Sequence, residues 1–463
     1  ATFSNTGTLT LVGTTAFTGG VTATSPSSKT INGTITAAGT GVINLGTTGV
    51  NVTGNSTVGG TSTGAITLGA ATLADNVTLT VGGGAYAANI TLSTVTGTAS
   101  GTASNLTINT TGAATVSGAV GTDIGTVTVT RSGGTAFNST VSAATITLSD
   151  STAASSITFS GNVTATSGLS AAGTANAYNV IFNGASNTIA STTTLSNTGT
   201  VTLVSGSGSS TFSGGVTATT QSQVNIGGTI NSSNATISIG DSGTPIVLTA
   251  DSTISGNTSG NITLGGTING AYTLDVNTTG TTTFSGVIGG STPLTSVTTN
   301  TGGTVAINTT AITTTGAQSY GENVTLGADV TLTTTSNGNI SFGAAISGSG
   351  QNLTLDTGLT SGTISVTGAV GSGAALGTLT ISKSAGTTFS STVNAATIAL
   401  TDSKVSTAVT FSDSVTATTG LTVGAGTAAY NVVFNGSSNT IAGATTFSNT
   451  GTVTFGDGSD TIA

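Results

Sequence analysis

Two carboxylates close to residue 463 have the clearest metal-ligand spacing in the chain. The stretch GDGSDTI, Gly456 to Ile462, has the G-x-G-x-D-x-U form of a calcium-binding β-roll repeat. Asp457 and Asp460 would supply the oxygen ligands that Ca²⁺ prefers. Each such ion sits between neighbouring repeats, and the corresponding stretch GSGSSTF from Gly206 lacks both acids. An ordinary turn is therefore the competing reading, and calorimetric titration with Ca²⁺ separates the two. Elsewhere the material for catalysis is thin. Glu322 is the only Glu, Arg131 the only Arg, and there is no His and no Cys. A triad, a zinc site or a pair of clustered carboxylates for glycoside hydrolysis cannot be assembled from scattered Asp. No Gly-rich loop followed by a helix or Lys offers a phosphate cradle. The expectation is a non-enzymatic chain with no cofactor.

Three other residue sets suggest binding. Thr-x-Thr recurs at Thr8/Thr10, Thr78/Thr80, Thr145/Thr147, Thr200/Thr202 and Thr452/Thr454. On one flat face this would be an ice-binding array, but Thr is also a favoured outward strand residue. Tyr86, Tyr178, Tyr272, Tyr320 and Tyr430 could stack on sugars. Tyr178 and Tyr430 occupy equivalent repeat positions, which points to packing. Sequons such as those at Asn51, Asn76 and Asn105 are abundant because Asn and Thr are abundant, and Asn also ladders at turns between stacked strands.

Four Lys+Arg against 13 Asp+Glu leave a net charge of −9. With so few cations the chain cannot neutralise phosphates, so nucleic acid is not expected as a partner. No apolar run reaches the length of a membrane helix, and 5 Tyr, 13 Phe and no Trp are too few for the girdles of a lipid-facing barrel. Membrane insertion is not expected. Disorder is excluded by β-branched apolar residues recurring throughout. The chain lacks an initiator Met, and Ala1 to Gly20 lacks a charged segment followed by an apolar core. It is therefore expected to be processed or part of something longer, with any export signal removed.

Those residues are positioned by repeats. Val127 to Ala190 aligns without a gap to Leu379 to Ala442, 252 residues on: FNSTVSAATITLSD becomes FSSTVNAATIALTD. A second marker occurs as FSNTGTLTLV from Phe3, LSNTGTVTLV from Leu195 and FSNTGTVTFG from Phe447. Their spacings of 192 and 252 differ by 60 residues, about three coils of roughly 20 residues each. Strand signals are short and alternating, as in Leu9/Leu11 and Val127/Val129 between Thr residues, so one set lines a core and Thr faces out. Only 3 Pro interrupt this. The predicted fold is an all-β, right-handed parallel β-solenoid of imperfect coils of about 20 residues, the hand taken from the crossover preference. One continuous solenoid over 1–463 is expected, with 1–194 and 195–446 as related blocks and 447–463 opening a third. One register follows. Val127 stacks on Ile146, Val129 on Leu148 and Arg131 on Asp150, 19 residues apart, repeated as Leu379/Ile398, Ile381/Leu400 and Lys383/Asp402.

The block Leu274 to Thr335, LDVNTTGTTTFSGVIGG through GENVTLGADVTLTTT, resembles the giant β-strand-repeat proteins of bacterial surfaces. The rest of the chain shares its style. These look like the shafts of filamentous-haemagglutinin and autotransporter-type adhesins. The resemblance implies an exported, cell-surface solenoid that acts as a structural fibre or adhesin shaft, and it implies no catalytic residues. The secretion domain and membrane anchor of those families are not visible in the sequence. Both termini carry the same repeat phase, so the expected partner is the chain itself, continuing head to tail, with surface glycans as the second partner class.

Overall fold

The computed structural model describes residues 1–83, 86–443, 445–456 and 461–462, the last two by backbone alone. The described residues are all β, without a helix, and the named strand pairings are parallel. The chain divides into two compact units, Ala1–Ser232 and Ser233–Ala463. Each is a β-solenoid. The 252-residue repeat places one copy in each unit, Val127 to Ala190 in the first and Leu379 to Ala442 in the second.

In the first unit each coil contributes to three ladders. One stacks Ile43, Ile66, Ile90 and Ala114 and then, after Thr135, Ile157, Val180, Val201 and Val224. A second stacks Leu79, Leu106, Val127, Ile146 and Leu169. The third stacks Leu11, Ile31, Val52 and Leu73. Nearly all of these side chains are buried. Alternation puts their neighbours outside, and Thr fills those places because a β-branched side chain fits the pleat while its hydroxyl stays wet. Backbone N–H and C=O groups pair with the coils above and below, so no single coil needs to be stable alone.

The proposed register holds. Val127 pairs with Ile146 and Val129 with Leu148; Leu379 pairs with Ile398 and Ile381 with Leu400. Other coils are longer. Thr8 lies below Ser28, 20 residues on, Val141 below Val163, 22 on, and Thr78 below Asn105, 27 on. The extra residues are taken up at corners and bulges. Some corners do not break the strand. Thr8–Phe17 and Ser28–Ala37 each turn from one face to the next at Gly13 and Gly33, which are stacked on each other. Gly33 has φ +127°, and a Cβ there would lie 2.3 Å from the Gly13 carbonyl oxygen, so only glycine fits.

Aromatic rings stack like the strands that carry them. Phe137, Phe159 and Phe182 lie 5.0 and 5.3 Å apart in the first unit. Phe389, Phe411, Phe434 and Phe455 lie 5.1, 5.1 and 5.2 Å apart in the second.

Corners are riveted by asparagine. The Asn55 side-chain oxygen accepts the Thr78 N–H at 2.8 Å, Asn162 accepts Ser186 at 3.0 Å, and Asn234 accepts Thr258 at 2.8 Å and Ser259 at 3.2 Å. In each case the donor belongs to the next coil. Asn187 is buried; it accepts the Val163 N–H at 3.0 Å and donates to Gly184 O at 3.2 Å and Ser210 Oγ at 3.0 Å. Its repeat equivalent Asn439 does the same with Val415 and Gly436. Asn187→Ala leaves the buried Val163 N–H without its acceptor. The expected loss is about 2–3 kcal/mol for an orphaned buried donor, measured by urea unfolding against Asn55→Ala, whose freed N–H can reach water.

Candidate functional site

Asp457 and Asp460 lie outside the described residues. Among the described residues no three His, Cys, Asp or Glu side chains come together as a metal set. No helix of the described residues is long and apolar enough to cross a membrane.

The basic–acidic register pairs fall on adjacent coils. Ser132 and Ser151, next to Arg131 and Asp150, continue the 19-residue offset, with their hydroxyls 3.0 Å apart. Ser384 and Ser403 repeat this at 3.4 Å. The carboxylates also reach forward to the following coil. Asp150 accepts Thr174 Oγ1 at 2.9 Å and the Asn176 amide at 3.2 Å, and Asp402 accepts the Thr427 N–H at 3.0 Å and its Oγ1 at 2.9 Å. Both acids thus fasten a turn.

Tyrosine is mostly core. Tyr86, Tyr178, Tyr320 and Tyr430 are fully buried. Tyr178 OH donates to Ala172 O at 2.9 Å and its equivalent Tyr430 to Gly424 O at 2.7 Å. Burial raises the Tyr86 and Tyr430 hydroxyls to about 12 and Tyr178 and Tyr320 further. These four rings pack and do not present a sugar platform. Tyr272 alone is an exposed tyrosine, at 38%.

The five Thr-x-Thr motifs do not form one array. Thr80 and Thr147 share a ladder, joined through Thr107 and Thr128. That ladder runs Thr34, Thr57, Thr80, Thr107, Thr128, Thr147, Ser170, Thr194 and Thr217, a hydroxyl on each coil. Thr10 lies on a second ladder, beside Thr30, and Thr202 on a third, beside Ile181. Thr454 belongs to the second unit, beside Val433. Of the sequon residues, Asn105 reaches Thr78 Oγ1 at 3.4 Å, Asn76 takes a left-handed turn conformation at φ 56°, and Asn51 is exposed between Thr30 and Thr72.

Two buried ionisable groups were not anticipated. Lys29 is 1% exposed and occupies a column position between Leu9 and Val50. Its Nζ donates to the Pro26 carbonyl at 3.1 Å and to Thr48 Oγ1. Burial lowers its pKa. Glu322 is 2% exposed, and neither carboxyl oxygen has a hydrogen-bond partner among the described residues. Burial pushes it up from 4.5 to about 7. Both stand where alternation places inward residues, Lys29 two before Ile31 and Glu322 midway between Tyr320 and Val324. That phase was the available signal. Lys29→Met is expected to raise the melting temperature of the first unit at pH 7, because the folded state disfavours the charged amine. The advantage shrinks as pH climbs from the lowered folded value to 10.5, where the unfolded amine also loses its proton. Melting curves at pH 7 and 10.5 check this.

An open-sided depression of about 230 Å³ is lined by Ala16, Thr18, Thr36, Ala37, Ala38, Gly60 and Thr61, all small and uncharged. It offers no group for proton transfer or for holding a charge. The described geometry is that of stacked coils with hydroxyl-rich faces on which a few charged side chains, Arg131, Asp251 and Asp275 among them, stand within strands. No family model, curated protein or solved structure matches the chain.

Proposed function

We propose that this chain is an extracellular structural protein that forms or extends a bacterial cell-surface fibre, sheath or appendage by self-association of β-solenoid units. The observation that carries this reading is the hydroxyl ladder from Thr34 to Thr217. It is a long, regular row of hydroxyl-bearing side chains with no charged member. Such rows suit side-by-side packing, since none of their members carries a charge to be desolvated when they meet. Bonding between coils also makes length cheap to extend, because each coil needs only its neighbours. Absence of Cys and Met suits an oxidising exterior.

A second reading is an adhesin shaft that contacts glycans. It is favoured by Tyr272, whose partly exposed ring follows Gly270 in a turn. Immunogold electron microscopy of the producing cells, using antibody to this chain, separates the two. Ordered filaments or a continuous coat support the structural role. Label confined to isolated fibrils at contact points supports the adhesin. Label confined to the cell interior refutes both.

A further inference from the structure

Glu322 lies at a corner of the second unit, between the strands Gln318–Tyr320 and Asn323–Leu326. Register places Thr299 beneath Tyr320 and Phe342 above it; Val305 lies beneath Val324 and Ile346 above it. The corner segments of the adjacent coils are residues 300–303 and 343–345, none of them charged; in the first, the Asn300 side chain accepts the Thr278 N–H at 2.9 Å and donates to Thr301 O at 3.0 Å. The side chain is as buried as its apolar neighbours, and both carboxyl oxygens lack hydrogen-bond partners among the described residues. Thr299 Oγ1, one coil away, is a second buried atom with no such partner.

The strands packed against this corner are Ser296–Thr299, Thr304–Ile307, Ile340–Phe342 and Ile346–Ser347. None of them has a titratable or charged side chain. On the same coil, the Tyr320 hydroxyl donates a hydrogen bond to Gln318 Oε1 at 3.1 Å, and Asp329 is exposed and accepts the Asn352 N–H at 2.8 Å. No cation is therefore placed to stabilise a carboxylate at Glu322, and a bare buried carboxylate is far costlier than a neutral acid.

We propose that this corner is a proton-operated catch: it closes on the neutral carboxyl of Glu322 and loosens when that proton leaves. Because the folded-state value is raised, the closed corner is fully stable below 4.5, the ordinary value, and loses stability as pH rises toward about 7. Above that both states are ionised and the loss is complete. With no His in the chain, other side chains leave this range largely empty. The Ala1 amino group belongs to the first unit. A fibre built of such units would carry a segment that stiffens in mild acid.

Glu322 is the only glutamate, so ¹³C-glutamate labelling of the full chain gives one carboxyl resonance to follow by NMR. The expected midpoint is near 7. Hydrogen exchange, corrected for its intrinsic pH dependence, should show opening at residues 318–326 rising about a hundredfold between pH 4.5 and 8. Glu322→Gln should hold the low-pH protection across that range. A midpoint near 4.5, protection that does not change with pH, or a Glu322→Gln variant with the same pH profile each overturns the proposal. If Glu322→Gln fails to fold, the resonance and exchange profile of the unaltered chain still decide it.

Discussion

Leu148→Asp should unfold the coils around Thr145–Ala171 at temperatures where the unaltered chain is intact. Leu148 is fully buried, paired with Val129 below and Ala171 above. An aspartate there must either lose its charge or place it in the apolar column, and no cation lies in that column to pair it. The expected cost is about 4 kcal/mol or more, among the largest single-site effects. Thr147→Asp, one residue away but facing out, should change stability by less than about 0.5 kcal/mol. The contrast tests side-chain phase and not merely the presence of a new acid. Stability of a stacked array is local, so hydrogen exchange should report the damage first in the coils adjoining residue 148. An unchanged melting curve for Leu148→Asp would remove that residue from the core.

Phe411→Ala is expected to cost about 3–5 kcal/mol, the usual range for emptying a buried phenylalanine site. Phe411 stacks on Phe389 and on Phe434, each ring 5.1 Å away and within 7° of parallel. Truncation therefore breaks two ring contacts as well as leaving a cavity, and each contact adds about 0.5–1.5 kcal/mol. Phe411→Leu fills most of the volume without restoring the stack, so it should recover part of the loss. Phe455, 39% exposed and stacked on one parallel neighbour, should lose much less on truncation to Ala. Urea denaturation of the three variants ranks them. Equal losses at Phe411 and Phe455 would show that stacking contributes nothing measurable.

The fold was legible because its period is written in residue types. Val127, Val129, Ile146 and Leu148 alternate with Thr, and a gapless 252-residue repeat fixes which turns are equivalent. The 19-residue offset could be read where two apolar pairs and a charge pair agreed. The 27-residue step from Thr78 to Asn105 could not, since corner insertions leave strand phase untouched and carry no periodic mark. Riveting by Asn was foreseen in kind, but which of many Asn residues rivet depends on corner geometry. Asn187 and Asn439 are buried rivets, whereas Asn51 has the same chemistry and sits exposed on a flat face. The tyrosines were half legible. Equivalence of Tyr178 and Tyr430 implied packing, but nothing in the sequence distinguished buried Tyr86 from exposed Tyr272. At Lys29 and Glu322 two sequence signals conflict: charge argues for an outward side chain, whereas alternation demands an inward one, and both are buried.

The account rests on hydroxyl-bearing residues of successive coils lying directly above one another. The chain has no cysteine, so Thr128→Cys/Thr147→Cys accepts two nitroxide labels and no others. Their backbones are ladder partners, about 4.8 Å apart, and the account predicts strong spin exchange that collapses the three-line spectrum. A pair moved off the ladder, Thr128→Cys/Ser142→Cys, should keep three resolved lines. Well-separated lines from the Thr128/Thr147 pair would contradict the stacking itself.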